Sequence, residues 1–338
     1  MKRSVPGKTN TPRRAVSVGA MHERRNDGSV GEHSTRLFGI LCTYKRQVGA
    51  IAFLDLLEGQ SHAPDVVVIV DNGSDRSLEE HIGGRRSERI EYRYVDAGHN
   101  IGPAGAFRLG FDHVIGLADP ADLIIFFDDD DPPVQETQIG RLVDGLLEAI
   151  AADASVGGMG ISGGTLRRRT GLISPANRFA RIAPVDHLHG GRLPVFTVEA
   201  LADVDSYDPT FFFGFEELEL GRRLRQRGWK LLVDNELMAE AASLYLKKTA
   251  HSPPWNTSGG VATAWSRFHK ERNLVRILRR EHLWTAILVT LVGRHLLKPL
   301  SLAARHPRYA RDRTLLGVRA TVAGLRGRTG IDPRYPPP

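Results

Sequence analysis

Four consecutive aspartates, Asp128 to Asp131, follow the apolar run Leu123 to Phe127 and precede Pro132 and Pro133. Like charges packed at a strand end repel unless a cation or hydrogen-bond donors offset them. A hard divalent ion, Mg²⁺ or Mn²⁺, held by one or two carboxylates together with phosphate oxygens is the usual solution. In a strand continuation alternate residues face the same way, which pairs Asp128 with Asp130. The competing reading is a solvated acidic loop before the prolines. A second acidic pair, Glu216 and Glu217, follows the aromatic stretch Phe211 to Phe215. Carboxylates there suit the first turn of a helix whatever their use. They also suit a general base that takes a proton from a hydroxyl.

Two further polar clusters, Thr43-Tyr44-Lys45-Arg46 and Asp71-Asn72-Gly73-Ser74-Asp75, each follow a strongly apolar run. The second has the composition of an ordinary tight turn. Asn100 to Gly105 (NIGPAG) combines small residues with a predicted helix start, which allows close backbone approach and suits phosphate.

The elements that must position these residues read as alternating strands and helices. FGILCTY is a buried-strand run, Val48 to Leu57 has helical spacing, and DVVVIVDNGSD is a second strand ending in a turn. The order repeats through IEYRYVDAG, AGAFRLGFDHVIGL, DLIIFFDDDD and a helix predicted from Gln135 to Ala152. Such alternation calls for a mainly parallel sheet covered on both faces, with ligands bound beyond the carboxyl ends of its strands. From 153 to about 208 the pattern weakens to loops and short strand-like pieces such as LPVFTVEAL. FFFGFEELELGRRLRQRGWKLLVD then reads as loop, helix and strand, with arginines and Gly228 closing the helix.

These pieces, in this order, resemble the glycosyltransferases of family 2, from about Phe38 to Leu278. The resemblance rests on TYKR, VDNGSD, NIGPAGAF, FFDDDDPP, FFGFEELELGRRLRQRGWKL and RFHKERNLVRILRR. It is closest to the bacterial rhamnosyl- and galactofuranosyltransferase-like members, and it implies the GT-A fold. It further implies that Thr43, Tyr44 and Arg46 lie along the nucleotide and that Asp71 with Asn72 recognises base or ribose. Asn100 and Gly102 would support the nucleotide-sugar, Asp128 and Asp130 would hold the metal on the diphosphate, and Asp129 would lie near the sugar. His251, placed where family members carry a metal-binding histidine, becomes a third ligand, although most of the thirteen histidines must be ordinary surface residues. Trp255, Trp265, His269 and Arg272 are candidates for contact with acceptor or diphosphate, the tryptophans being also natural core residues.

Glu217 takes the position of the base, with Glu216 beside it. The family often has Glu-Asp there, so this chain carries a longer base. Direct attack by the acceptor hydroxyl inverts the anomeric centre. The expected activity is therefore metal-dependent, inverting transfer from a nucleoside-diphosphate sugar, UDP- or dTDP-linked, to a glycan or lipid-linked acceptor. A sugar nucleotidyltransferase would want a glycine-rich loop where TYKR stands. A non-catalytic sugar-nucleotide-binding scaffold would be expected to lose Glu217 or the aspartates.

The chain has 338 residues, 41% hydrophobic and 25% charged, an ordinary globular composition that excludes disorder throughout. One cysteine, Cys42, excludes an internal disulfide and favours the cytoplasm. The net charge of +7 hides an asymmetry: residues 269–338 carry 15 basic and 4 acidic side chains, and residues 36–268 carry 24 and 32. That split argues against a nucleic-acid binder and for an anionic surface docked at one end, with membrane phosphates first. The expected organisation is a disordered basic leader (1–35), a GT-A catalytic domain (36–264) and a basic helical tail (265–338). In the tail, the 11-residue neutral run LWTAILVTLVG is too short to cross a bilayer but suited to its interface, or to a helical hairpin or dimer contact instead. The expected setting is cytoplasmic, peripheral on the inner face of the membrane, with a homo-oligomer allowed.

Overall fold

A computed structural model describes residues 34–73, 77–248, 264–304 and 306–337. The expected leader lies almost entirely outside them, as do Ser74, Asp75, His251 and Trp255. The first half alternates strand and helix: β1 (Leu37–Thr43), α1 (Gln47–Glu58), β2 (Val66–Asp71), α2 (Ser77–Gly84), β3 (Glu91–Asp96), α3 (Gly102–Val114), β4 (Leu123–Asp128) and α4 (Gln138–Ala152). The fourth helix begins three residues later than the sequence pattern suggests, because the Gln138 side chain first accepts the Val134 amide and holds the preceding turn.

The weakly patterned middle contains β5 (Val156–Gly160), β6 (Gly163–Arg167), β7 (Leu172–Pro175), β8 (Ile182–Val185), β9 (His187–Leu188) and β10 (Val195–Thr197). It is followed by α5 (Val198–Asp203), α6 (Glu216–Gln226), β11 (Lys230–Asp234) and α7 (Asn235–Lys248). LPVFTVEAL is therefore a strand and a helix. The hydroxyl of Thr197 accepts the Ala200 amide, an N-cap that stops the strand and starts the helix. Four helices complete the chain: α8 (Ala264–Arg280), α9 (Trp284–Val289), α10 (Lys298–Leu302) and α11 (Pro307–Leu325), with a π-helical stretch from Thr290 to Leu297 between α9 and α10.

The main sheet has the order β3-β2-β1-β4-β10-β5-β11-β8. β3, β2, β1 and β4 pair in parallel, and β10 runs antiparallel between β4 and β5. The central strands are apolar throughout because both faces are covered. Leu37, Leu41, Val67, Ile69, Ile125 and Phe127 pack under α1 and α4, whereas Phe38, Ile40, Val68, Val70, Ile124 and Phe126 pack under α3. This is the period-2 alternation of a strand buried twice. Between β1 and β4 the strand order reverses, which is where an open α/β sheet opens a crevice at its carboxyl edge.

Residues 35–338 form one compact unit. α8 is part of its core: Leu274, Ile277 and Leu278 pack with Ala104, Phe211 and Leu218. No helix among the described residues is long and apolar enough to cross a membrane.

Candidate active site

The register of β1 against β4 sets Cys42 beside Asp128, so the four aspartates emerge at the sheet's reversal point. Carboxylate oxygens of Asp128, Asp129 and Asp130 lie within 4.8 Å of one another. Thr43, at the end of β1, donates its hydroxyl to Asp129 Oδ2 at 2.7 Å. Arg46 reaches Asp129 Oδ1 at 3.2 Å and Asp130 Oδ2 at 2.6 Å. Asp131 turns the other way, to Arg192 at 3.0 Å. Burial, reinforced by repulsion from Asp130 and Asp129, pushes the Asp128 carboxyl up to about 7 even though Arg46 pulls it down. Burial also raises Asp129, against the stabilising bond from Thr43. Three converging carboxylates that one guanidinium only partly offsets are a donor set suited to a hard divalent cation.

All three acids, not the alternate pair alone, converge, with Asp129 buried and Asp130 exposed, because the chain leaves the strand after Asp128 and enters a turn. Asp129 is buried and held by Thr43 and Arg46, which makes it a brace for the loop. Thr43 is itself buried and serves Asp129.

A cavity of about 330 Å³ opens beside the carboxylates, walled by Tyr44 and Arg46 on one side and by Asn72, Asn100 and Gly102 on another. Asn72 and Asn100 form a clasp: Asn72 Nδ2 donates to Asn100 Oδ1 at 3.3 Å, Asn72 Oδ1 accepts the Ile101 amide at 2.8 Å, and Asn100 Oδ1 accepts the Gly102 amide at 2.9 Å. Gly102 has φ +74°, and a Cβ there would sit 2.2 Å from the Phe212 carbonyl oxygen, so only glycine permits this approach. Asp71 is buried and accepts the Tyr94 hydroxyl at 3.0 Å. Phe212, Phe213 and Trp265 close the far wall, with Phe213 and Trp265 rings 4.6 Å apart.

The two glutamates at the start of α6 have different surroundings. Glu216 is buried, its Oε2 has no hydrogen-bond partner among the described residues, and burial with repulsion from Glu217 holds its carboxyl well above the usual range. Glu217 is half-buried and accepts the Gly190 amide on Oε1 at 3.3 Å. Glu217 is thus the more accessible of the two, and the Glu216 carboxyl, its pKa held up by burial, sits inside the wall.

Sequence reasoning missed the loop that joins the two acidic centres. His189-Gly190-Gly191-Arg192 follows β9. A Cβ on Gly190 would lie 3.0 Å from Glu217 Oε1, and one on Gly191 would lie 3.2 Å from Asp131 Oδ2 and 3.7 Å from Asp128 Cβ. His189 Nδ1 sits 2.8 Å from Ser162 Oγ, and burial lowers its pKa while nearby Glu217 opposes the shift. The one sequence signal was a glycine pair between a histidine and an arginine. His269 and Arg272 do not reach the carboxylates: His269 bonds the Trp265 carbonyl and the Asp332 amide, and Arg272 bonds the Gly330 carbonyl and Asn273.

An open sheet with a carboxylate cluster at its reversal point, an asparagine-clasped pocket beside it and a second acidic pair opening a later helix defines a GT-A domain. Residues 40–197 match the model of glycosyl transferase family 2. It is 30% identical over 111 residues to galactofuranosyltransferase GlfT1 of Mycolicibacterium smegmatis, covering 33% of this chain and 35% of that one. GlfT1 of Mycobacterium tuberculosis (strain ATCC 25618 / H37Rv) is 33% identical over 96 residues, covering 28% of this chain and 30% of that one. The matched stretch thus spans about a third of these relatives' length. Among solved structures the chain is similar to S. aureus TarS 1–349, with TM-score 0.46 and 14% identity, covering 89% of this chain and 98% of that one. It is also similar to the mannosyltransferase PcManGT of Pyrobaculum calidifontis in complex with GDP-Man and Mn²⁺, with TM-score 0.45 and 15% identity, covering 91% and 92%.

Proposed function

We propose that the protein is an inverting glycosyltransferase that moves a sugar from a UDP- or dTDP-linked donor to a hydroxyl of a glycan or lipid-linked acceptor. The observation that carries this reading is the Gly190-Gly191 bridge, whose two residues touch Glu217 on one side and the aspartate cluster on the other. Glu217 and the aspartates thus flank one short loop, which supports a reading in which a base and a phosphate-side cation site serve a single displacement. Glu217 accepts the proton of the acceptor hydroxyl as its oxygen bonds the anomeric carbon, and the bond from that carbon to the diphosphate oxygen breaks, with its electron pair leaving on the nucleoside diphosphate. Asp128 and Asp130 would hold Mg²⁺ or Mn²⁺, which supplies charge neutralisation of the departing diphosphate. Asn72, Asn100 and Tyr44 bind the nucleotide, and Arg46 keeps Asp129 and Asp130 turned toward the pocket.

The test is a screen of UDP-, dTDP- and GDP-sugars for thermal stabilisation with and without Mn²⁺, followed by transfer to candidate acceptors. A donor at 100 times its Kd adds roughly 2.7 kcal/mol of stability. Absence of any metal-dependent stabilisation overturns the reading. Binding without transfer would support a scaffold instead.

The same reading extends to location. Trp284, Leu288 and Leu300 are 56%, 60% and 68% exposed, Arg294 and Lys298 are exposed in the same run from α9 to α10, and Arg308 and Arg311 are exposed on α11. Apolar side chains flanked by cations suit the interface of an anionic membrane, which would keep a lipid-linked acceptor close.

A further inference from the structure

The wall of the donor cavity includes Pro337, which lies well over a hundred residues beyond the other strand and loop residues of that wall. After α11 the chain does not hang free. It runs back across α8 and is pinned at four points. The Gly330 amide donates to the Thr210 carbonyl at 3.1 Å, and its carbonyl accepts from Arg272 Nη1 at 2.5 Å. The Asp332 amide donates to His269 Nε2 at 3.2 Å, so that ring carries its proton on Nδ1, which donates to the Trp265 carbonyl at 2.7 Å. The Tyr335 ring stacks on Phe268 with centroids 4.4 Å apart and planes 18° from parallel. Asp332 is buried and ion-paired with Arg334 at 2.8 Å.

We infer that Ile331–Pro337 is a strap that forms one wall of the donor pocket and holds the nucleoside diphosphate there. The inference rests on the reading of this cavity as the donor site. Three observations favour a wall over a plug. With the strap seated, a cavity of about 330 Å³ remains, within the range of small-molecule pockets. Trp265, whose carbonyl helps anchor the strap through His269, itself lines the cavity. Consecutive prolines have little backbone freedom to lose, so the ring that Pro337 presents to the cavity, with Pro336 before it, costs little entropy when a ligand packs on it.

The experiment measures calorimetric Kd values for UDP, dTDP and GDP in Mn²⁺ with the full chain and with Tyr335→Ala and Pro337→Gly. It is paired with hydrogen exchange of the unaltered protein with and without the nucleotide that binds. Tyr335→Ala loses the stack that seats the strap and is expected to bind about tenfold more weakly; Pro337→Gly, which removes only the ring at the pocket, should weaken binding by a smaller factor. Bound nucleotide should slow exchange of the Asp332, Arg334 and Tyr335 amides. Equal or tighter nucleotide binding by both variants, with no added protection of those amides, overturns the strap while leaving the donor site standing. If the unaltered protein binds none of the three nucleotides, the donor-site reading falls and takes the strap with it. Because the exchange measurement needs no substitution, a poorly folded Tyr335→Ala protein does not blunt the test.

Discussion

Asn273 Nδ2, on α8, donates to the Gly214 carbonyl at 2.9 Å, and it also meets the carbonyls of Phe211 at 2.8 Å and Phe213 at 3.0 Å. One buried amide therefore holds the whole aromatic loop that delivers Glu216 and Glu217. The loop needs such a hold: Phe212 and Phe215 have φ +56° and +66°, the left-handed region that non-glycine residues enter at a cost of about 1–3 kcal/mol each. A helix of the basic tail thereby takes part in shaping the acidic site.

Replacing Asn273 by Ala removes three carbonyl partners from a buried loop and should cost about 1–3 kcal/mol of stability. Turnover should fall by more than the unfolded fraction explains, since Glu217 loses its fixed approach. Thermal midpoint and transfer rate measured on the same protein separate these effects; an unchanged rate in the folded fraction would show that the clasp serves stability alone.

Glu217→Gln keeps shape but cannot take a proton, and loss of a general base costs roughly 10² to 10⁴ in rate. Donor binding should persist. Glu216→Gln should be mild by comparison, because that carboxyl is buried away from solvent, where burial disfavours its charged form. Near-parental transfer by Glu217→Gln would remove it from the mechanism.

Asp130→Ala deletes one arm of the carboxylate cluster, and the fold should survive because clustered charge is relieved. Nucleotide binding should lose its response to Mn²⁺ or Mg²⁺, read as equal Kd values with and without EDTA. Full metal dependence in this variant would place the cation elsewhere.

His187 is packed beneath α6, where burial, together with neighbouring His189, lowers its pKa from the ordinary 6.5 to about 4. Folding favours the neutral ring, so the unfolded chain protonates first as pH falls. The contribution is complete above about pH 6.5 and is lost progressively from there toward pH 4, about 3 kcal/mol at most. Denaturant melts across this window should show a shallower acid slope for His187→Gln than for the parent.

Binding to vesicles containing anionic lipid should weaken with salt, since exposed charges are screened over about 8 Å at physiological ionic strength. Arg308→Glu with Arg311→Glu should release the protein. Arg313 is left intact in this design because it ion-pairs with Glu271 at 2.7 Å inside the tail. Equal sedimentation of variant and parent with acidic vesicles would sink the membrane reading.

The sequence alone determined the sheet's first four strands, the helices α1, α3 and α4 and the acidic clusters at the strand ends, whereas the eight-residue α2 did not stand out from its turn. β1, β2 and β4 are buried on both faces, so they appear as unbroken runs such as VVVIVD, the edge strand β3 is only half-buried, and the helices α1, α3 and α4 keep the 3.6 period. The family pattern lay in the same stretches. Residues 153–197 stayed illegible because their strands are two to five residues long and several pair with partners distant in the chain, β5 and β8 with β11 and β10 with β4. A strand that short carries too few alternations to register as a period, and its partner decides its place. Tertiary structure alone set His189-Gly190-Gly191-Arg192 between the two acidic centres, put Asn273 under the aromatic loop and laid Ile331–Pro337 along the cavity. It also divided Glu216 from Glu217: adjacent residues at a helix start point about 100° apart, so one carboxyl went into the core and the other to the Gly190 amide in a half-buried setting.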